Sequence, residues 1–234
     1  MAATPNNIIP IVLATGNQDK IKELRPLLEG ISPLFMVTTL KELGADITVE
    51  ETEATLEGNA LLKAKAIFKL LSDRFPYMIA LADDTGLEVD ALDGAPGVFS
   101  ARYAPALDGN SPSYEENIHH LLHSLRGIEK RNACFRTVVA LKGRVPSGEG
   151  SFEFEHTAEG AVSGSITFEQ KGNEGFGYDP VFLVHSIGKT YAEMSIAQKN
   201  TLSHRALALH KAKVDLTLIL NNNRIPLIST NELS

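Results

Sequence analysis

The sequence reads as an α/β protein, on three observations. Short apolar runs suited to buried strands alternate, along nearly the whole chain, with stretches whose apolar residues recur at helical spacing. No internal repeat, low-complexity tract or linker interrupts the 234 residues, a length that suits one large domain or two modest lobes sharing a core. The composition, 43% hydrophobic and 22% charged, is that of a soluble globular chain and excludes disorder, collagen and coiled-coil arrays.

The elements follow in order. Ile8 to Ala14 is apolar throughout and suits a buried strand, with Pro10 near its start. Thr15 to Lys20 is turn chemistry. Ile21, Leu24, Leu27 and Leu28 then repeat at helical spacing, and Gly30 can end that helix. Phe35 to Thr38 reads as a second strand. The acidic stretch Glu50-Glu51-Thr52-Glu53 leads into a helix with Leu56, Ala60, Leu61, Ala64, Ile67, Phe68 and Leu71 on one face and Lys63, Lys65 and Lys69 on the other. Met78 to Ala82 is a compact strand running into Asp83-Asp84-Thr85-Gly86, and extended structure resumes at Leu87 to Val89. Ser111-Pro112 predicts a helix start with proline at the first position, and Gly127 an end. Ala133 to Lys142 and Phe152 to Glu159 read as strands joined by a hairpin segment, Val145 to Gly150. A glycine-rich loop, Lys171 to Tyr178, precedes a strand at Val181 to Val184, and Ser203 to Leu220 is the last helix. Residues 1–8 and 221–234 are expected to be loosely attached.

Charge narrows the function. With 22 basic and 29 acidic residues the net charge is −7, which argues against the basic footprint of a nucleic-acid binder. A small phosphate ligand stays compatible, because a metal and a few local cations outweigh distant negative charge. Cys134, the single cysteine, excludes an intramolecular disulfide and a cysteine-rich zinc site and suits a reducing compartment. No apolar run approaches the ~18 residues that span a membrane. Met1 to Pro10 has no lysine or arginine and no extended apolar core, so a cytoplasmic location is expected.

Four clusters could carry chemistry. Thr15-Gly16-Asn17-Gln18-Asp19-Lys20 follows a strand and opens a helix, where backbone N–H groups and a lysine can hold phosphate. It lacks the Walker pattern and reads equally as an ordinary strand-to-helix turn. Asp83 and Asp84 point to opposite sides of an extended chain, so one can serve a site while its neighbour supports it. A carboxylate at a strand's end suits Mg²⁺ binding or water activation, with Glu50 and Glu51 as further metal ligands, and a hydrogen-bonded turn is the alternative. Gly172 to Pro180 places Phe176 and Tyr178 on a glycine-rich loop, either to stack on a base or to fill the core. Lys199, Ser203, His204 and Arg205 gather cations before and at the start of the last helix, an anion or carbonyl site unless simply solvated. The other histidines show no metal-binding spacing, and Cys134 reads as an inert core thiol.

With these segments in view, the chain resembles the inosine/xanthosine triphosphate pyrophosphatase family. The resemblance runs from about Ile9 to Leu220. It rests on Thr15–Lys20, Asn59–Ala64, Ala82–Leu87, Gly94–Gly97, Ser100–Tyr103, Gly175–Pro180 and Ser203–Arg205, in that order. It implies a long mixed sheet flanked by helices, with two lobes around a central nucleotide-binding cleft, in a homodimer. It implies that Thr15, Gly16, Asn17, Gln18, Asp19 and Lys20 hold the triphosphate, with Asn17 and Lys20 the main side-chain contacts. Asp84 would be the catalytic carboxylate and a Mg²⁺ ligand, and Glu50 or Glu51 the second metal ligand. Phe176, Gly177, Tyr178, Asp179, Lys199, His204 and Arg205 would surround the base. Thr85, also assigned to the substrate, stands where many bacterial members have serine and keeps the hydroxyl. The expected reaction converts ITP, dITP or XTP to the monophosphate and pyrophosphate. Two rivals are a Maf-like pyrophosphatase, which would lack the Ser-His-Arg element, and a silent nucleotide-binding regulator, which would not need Asp83-Asp84.

Overall fold

The structure is a computed structural model that describes residues 8–106, 109–148 and 150–226. Residues 1–7 and 227–234 of the expected loose ends, and residue 149 of the expected hairpin segment, lie outside the described residues. In chain order the elements are β1 (Ile9–Leu13), α1 (Gln18–Leu28), β2 (Phe35–Thr39), α2 (Leu56–Leu71), β3 (Met78–Val89), β4 (Pro96–Gly97), α3 (Tyr114–Ser124), β5 (Asn132–Ser147), β6 (Gly150–Ile166), β7 (Phe182–Val184), β8 (Lys189–Thr190), α4 (Ile196–Leu202) and α5 (His204–Asn222).

Among the described residues the strands form one open mixed sheet in the order β2-β1-β3-β5-β6-β7-β8, with β4 beside β3. β1 pairs in parallel with both β2 and β3, Ile11 lying opposite Val37 and Ile79. That pairing explains its unbroken apolar sequence, since a parallel strand is covered on both faces. The β3–β4, β6–β7 and β7–β8 pairs are antiparallel.

The chain divides into two compact units. One holds the chain up to Asp83, Val138–Ala158 and the chain from Ala208; the other holds Asp84–Thr137 and Glu159–Leu207. The long strands β3, β5 and β6 contribute residues to each. The first unit packs Ile11, Leu13, Leu24, Leu28, Leu81, Leu141, Leu209 and Leu216 into one core. In the second, Leu87, Ile118, Leu121, Phe135, Phe182 and Tyr191 form another.

Two sequence expectations change, and one helix escaped them. Asp83 to Gly86 is no strand end but the middle of the continuous strand β3, where neighbouring strands supply backbone partners that local turn propensity does not anticipate. Helix α3 starts later than Ser111-Pro112 predicts. Ser113 caps it, accepting from Glu116 N–H while the Glu116 carboxylate accepts from Ser113 N–H, a reciprocal pair that fixes the first turn. The Ser195-Gln198 cap likewise starts α4, which apolar periodicity is too short to reveal.

Candidate functional site

The turn before α1 is wound tightly on itself. Asn17 caps the helix, its Oδ1 accepting from Asp19 N–H at 2.9 Å and Lys20 N–H at 3.3 Å, while Thr15 Oγ1 accepts from Asn17 N–H at 3.1 Å. Three backbone donors of the expected phosphate cradle are therefore engaged by side chains of the turn itself. Gln18 donates to the Gly16 carbonyl, and Asp19 pairs with Lys22, exposed to water. A Cβ added to Gly16 would meet no atom within 4 Å. Packing within the protein therefore does not demand a glycine there, though a closely approaching ligand would.

Lys20 reaches Asp83. Its ammonium lies 2.9 Å from Asp83 Oδ2, with the carboxylate almost wholly buried. Alternation along β3 sends the adjacent Asp84, also buried, to the opposite side. Asp83 thus anchors the lysine. Glu51 is tied instead to Lys63 of α2 at 3.0 Å, and Glu50 is exposed. The acidic stretch is held by the buried Asn59, which accepts from Glu53 N–H and donates to the Glu53 carbonyl.

Among the described residues, no three histidine, cysteine or carboxylate side chains gather as a metal cage. Mg²⁺ seldom needs one: it takes one or two carboxylates, keeps several waters and completes its shell with substrate phosphates. A buried carboxylate such as Asp84 fits that mode.

In the second unit the glycine-rich loop is organised around Asp179. Its Oδ2 accepts from Phe176 N–H at 2.9 Å and from the Lys199 ammonium at 2.7 Å, and both members of the ion pair are buried. Gly175, at φ +77°, brings its backbone so near this oxygen that a Cβ would collide with it. Phe176 is half-buried, with Lys199 and Arg205 5.3 Å and 5.4 Å from its ring centre. Tyr178 belongs to the core, its hydroxyl donating to the Ser100 carbonyl. Of the two readings open for the loop's aromatics, stacking remains for Phe176, and Tyr178 is a packing residue. Burial pushes the Tyr178 phenol above its ordinary range.

The Ser203-His204-Arg205 element opens α5. Ser203 accepts from Ala206 N–H as a cap. His204 and Arg205 are buried, not solvated, despite sitting at the positive end of a helix. Arg205 donates to Thr85 Oγ1 at 3.2 Å, Thr85 Oγ1 lies 2.7 Å from Thr137 Oγ1, and Thr137 Oγ1 lies 2.7 Å from His204 Nδ1. The His204 ring stacks on Phe135, centres 4.4 Å apart. Gathered in this unit are two obligate hydrogen-bond donors and an imidazole, out of water and next to an aromatic ring.

The model of the Ham1 family matches residues 11–214, most of the chain. The chain belongs to the Ham1 family. A relative from Chlorobaculum tepidum named dITP/XTP pyrophosphatase is 57% identical over 202 residues, covering 86% of this chain and 89% of its own. The solved Ham1 protein of Staphylococcus aureus is 39% identical with a TM-score of 0.72, over 88% of this chain and 97% of that one. A solved HAM1 protein from Coxiella burnetii is 35% identical with a TM-score of 0.73, over 90% of this chain and all of that one.

For this Ham1 chain, sequence reasoning missed Thr137 and Phe135. Both sit in the apolar run from Ala133, where a threonine beside Val138 and Val139 was the available signal and its full burial is seen only in the structure. Cys134 is partly exposed on the same strand. Burial and the nearby Glu88 carboxylate push its thiol pKa up, away from the reactive thiolate, so the inert reading stands on chemistry more than on depth.

Proposed function

We propose that this chain is a Mg²⁺-dependent pyrophosphatase of non-canonical purine nucleoside triphosphates, adding water across the α–β phosphoanhydride of ITP, dITP or XTP to leave the monophosphate and pyrophosphate. The observation that carries the reading is the burial of Lys199 and Arg205 together beside Phe176. With Lys199 neutralised by Asp179 and Arg205 held at the same ring, a site that gathers two donor side chains beside an aromatic face suits a flat ligand rich in acceptors. The curated relatives' name, dITP/XTP pyrophosphatase, supports the same substrates.

In this reading Lys20, steadied by Asp83, meets the triphosphate as a point charge, with Asn17 beside it. Asp84 supplies a buried anionic oxygen that orients the attacking water by accepting its hydrogen bond. It would also be the protein ligand of Mg²⁺, with Glu50 or Glu51 able to contribute further oxygens. When bound, the ion supplies charge neutralisation at the phosphate oxygens. Phe176 stacks on the base. Lys199 and Arg205 donate hydrogen bonds only, and His204 donates from one nitrogen, so the set satisfies a purine 6-oxo group and opposes the 6-amino group of ATP. GTP shares the 6-oxo group, and its exclusion falls to its 2-amino group, through crowding or a mismatched partner on the Phe176–Asp179 loop.

The reading extends to a cytoplasmic homodimer that binds neither nucleic acid nor membrane. It draws on the family resemblance, on the net charge of −7 and, among the described residues, on the lack of a helix long and apolar enough to cross a membrane. A single-subunit mass by light scattering would remove the dimer. The decisive assay is pyrophosphate release from ITP, XTP, GTP, ATP and a modified pyrimidine triphosphate with Mg²⁺ and with the metal chelated. kcat/KM for ITP and XTP should exceed that for ATP by roughly 10²-fold or more, since the wrong base leaves buried donors unpaired. Equal hydrolysis of ATP and ITP would refute the donor pocket, release unaffected by chelation would refute the metal, and a preference for modified pyrimidines would favour the Maf-like rival.

A further inference from the structure

We propose that Thr137 is a positioning residue for base selection, holding the His204 imidazole in the tautomer that carries its proton on Nε2. The inference deepens the reading above and rests on His204 facing the base. It starts from β5, where Phe135 and Thr137 are two residues apart and so share a face of the strand. Each constrains His204 differently. The Phe135 ring lies 4.4 Å away and nearly parallel, at 13°, which sets the plane of the imidazole. Thr137 Oγ1, 2.7 Å from Nδ1, sets its rotation within that plane.

The chain of hydrogen bonds begins at Arg205. A guanidinium has only donors, so Thr85 Oγ1 accepts from Arg205. In the proposed arrangement Thr85 donates to Thr137, and Thr137 to His204 Nδ1, over two contacts of 2.7 Å each. Run this way, successive bonds polarise one another in the same sense. Run the other way, Thr85 would accept from Arg205 and Thr137 together. A neutral imidazole whose Nδ1 accepts carries its proton on Nε2.

Base selection depends on that proton. An Nε2–H group donates to a 6-oxo oxygen and opposes a 6-amino group, whereas the other tautomer would present an acceptor that welcomes the amine. Without the Thr137 hydroxyl, His204 could adopt either form and the distinction would blur. Thr85 takes part by relaying the bond, which gives its hydroxyl a reason to be there that a serine would serve equally.

Two measurements test this. Long-range proton–nitrogen NMR at alkaline pH distinguishes protonated from bare ring nitrogens in the native protein, and kcat/KM for ITP and ATP is compared among wild type, Thr137→Val and Thr137→Ser. The expected wild-type spectrum has a bare Nδ1 and a protonated Nε2 at His204. Thr137→Val should mix the tautomers and lower the ITP-to-ATP ratio about tenfold, the worth of one well-directed hydrogen bond. Thr137→Ser should restore both. A wild-type His204 protonated on Nδ1, a Thr137→Val ratio equal to wild type, or a Thr137→Ser as impaired as Thr137→Val would overturn the proposal, the last by showing that only packing matters. If Thr137→Val fails to fold, the wild-type spectrum and Thr137→Ser still decide. Should wild type release no pyrophosphate from ITP, the functional reading falls, while the spectrum continues to report on the tautomer.

Discussion

Replacing Asp179 with asparagine keeps the side chain's shape and removes the charge that neutralises Lys199. In the native protein, Lys199 Nζ lies 2.7 Å from Asp179 Oδ2, and the two residues are only 3% and 4% exposed. The same oxygen accepts from Phe176 N–H, so the ion pair and the loop conformation depend on one atom. Breaking a buried pair from one side leaves an uncompensated charge and costs about 3–5 kcal/mol. For a chain of this size, each kcal/mol lowers Tm by roughly 2–4 °C, which places the variant's Tm roughly 6–20 °C below wild type. Removing both charges, in Asp179→Asn with Lys199→Met, should recover part of that loss, because a neutral pair no longer demands a counter-ion. Chemical denaturation of wild type, both single variants and the double variant supplies the complete cycle. A single Asp179→Asn loss below about 1 kcal/mol would refute the reasoning, because it would place the pair in the range of solvent-screened surface bridges. A double variant as unstable as the sum of the singles would show that the two charges are not coupled.

Other outcomes follow from the same geometry. Asp84→Asn should fold normally and lose on the order of 10²-fold or more in kcat for ITP, as removal of a carboxylate acting on water or metal does; near-wild-type turnover would remove Asp84 from the mechanism. Lys20→Ala should raise KM for ITP at least as clearly as it lowers kcat, with a weaker effect on IMP binding, because a point charge serves ground and transition states alike. Equal losses for ITP and IMP would show that Lys20 does not read the outer phosphates. Tyr178→Phe removes the bond to the Ser100 carbonyl, at about 1 kcal/mol near neutral pH. Burial raises the Tyr178 pKa in the folded state, so its contribution is complete below the ordinary phenol value of about 10 and declines as pH climbs through the folded value. Wild type should therefore lose stability above about pH 10 more steeply than Tyr178→Phe, and parallel stability curves between about pH 8 and pH 11 would contradict the assignment.

The sequence alone determined the α/β class, the strand–turn–helix opening, the extent of α2 and the identity of the polar clusters. These properties are local: apolar spacing reports which face of an element is buried, and chemistry-bearing residues stand out by type. It misread Asp83 to Gly86 as the end of a strand, because two aspartates and a glycine disfavour extended structure, and strand pairing overrides that preference. Tertiary structure alone decided the partners. Lys20 and Asp83 are far apart in sequence yet 2.9 Å apart in space, so the lysine's anchor could not be read from either segment. Arg205 meets Thr85 across 120 positions and His204 meets Thr137 across 67, and no spacing rule spans such separations. Burial was the other unreadable quantity. Lys199, His204 and Arg205 carry the composition of a solvated helix start, and only the packing of Phe135, Phe176 and Tyr191 around them turns that composition into a desolvated donor set. Residue type says which hydrogen bonds a side chain can make; the long-range fold says which of them it must make, because it determines where water is excluded.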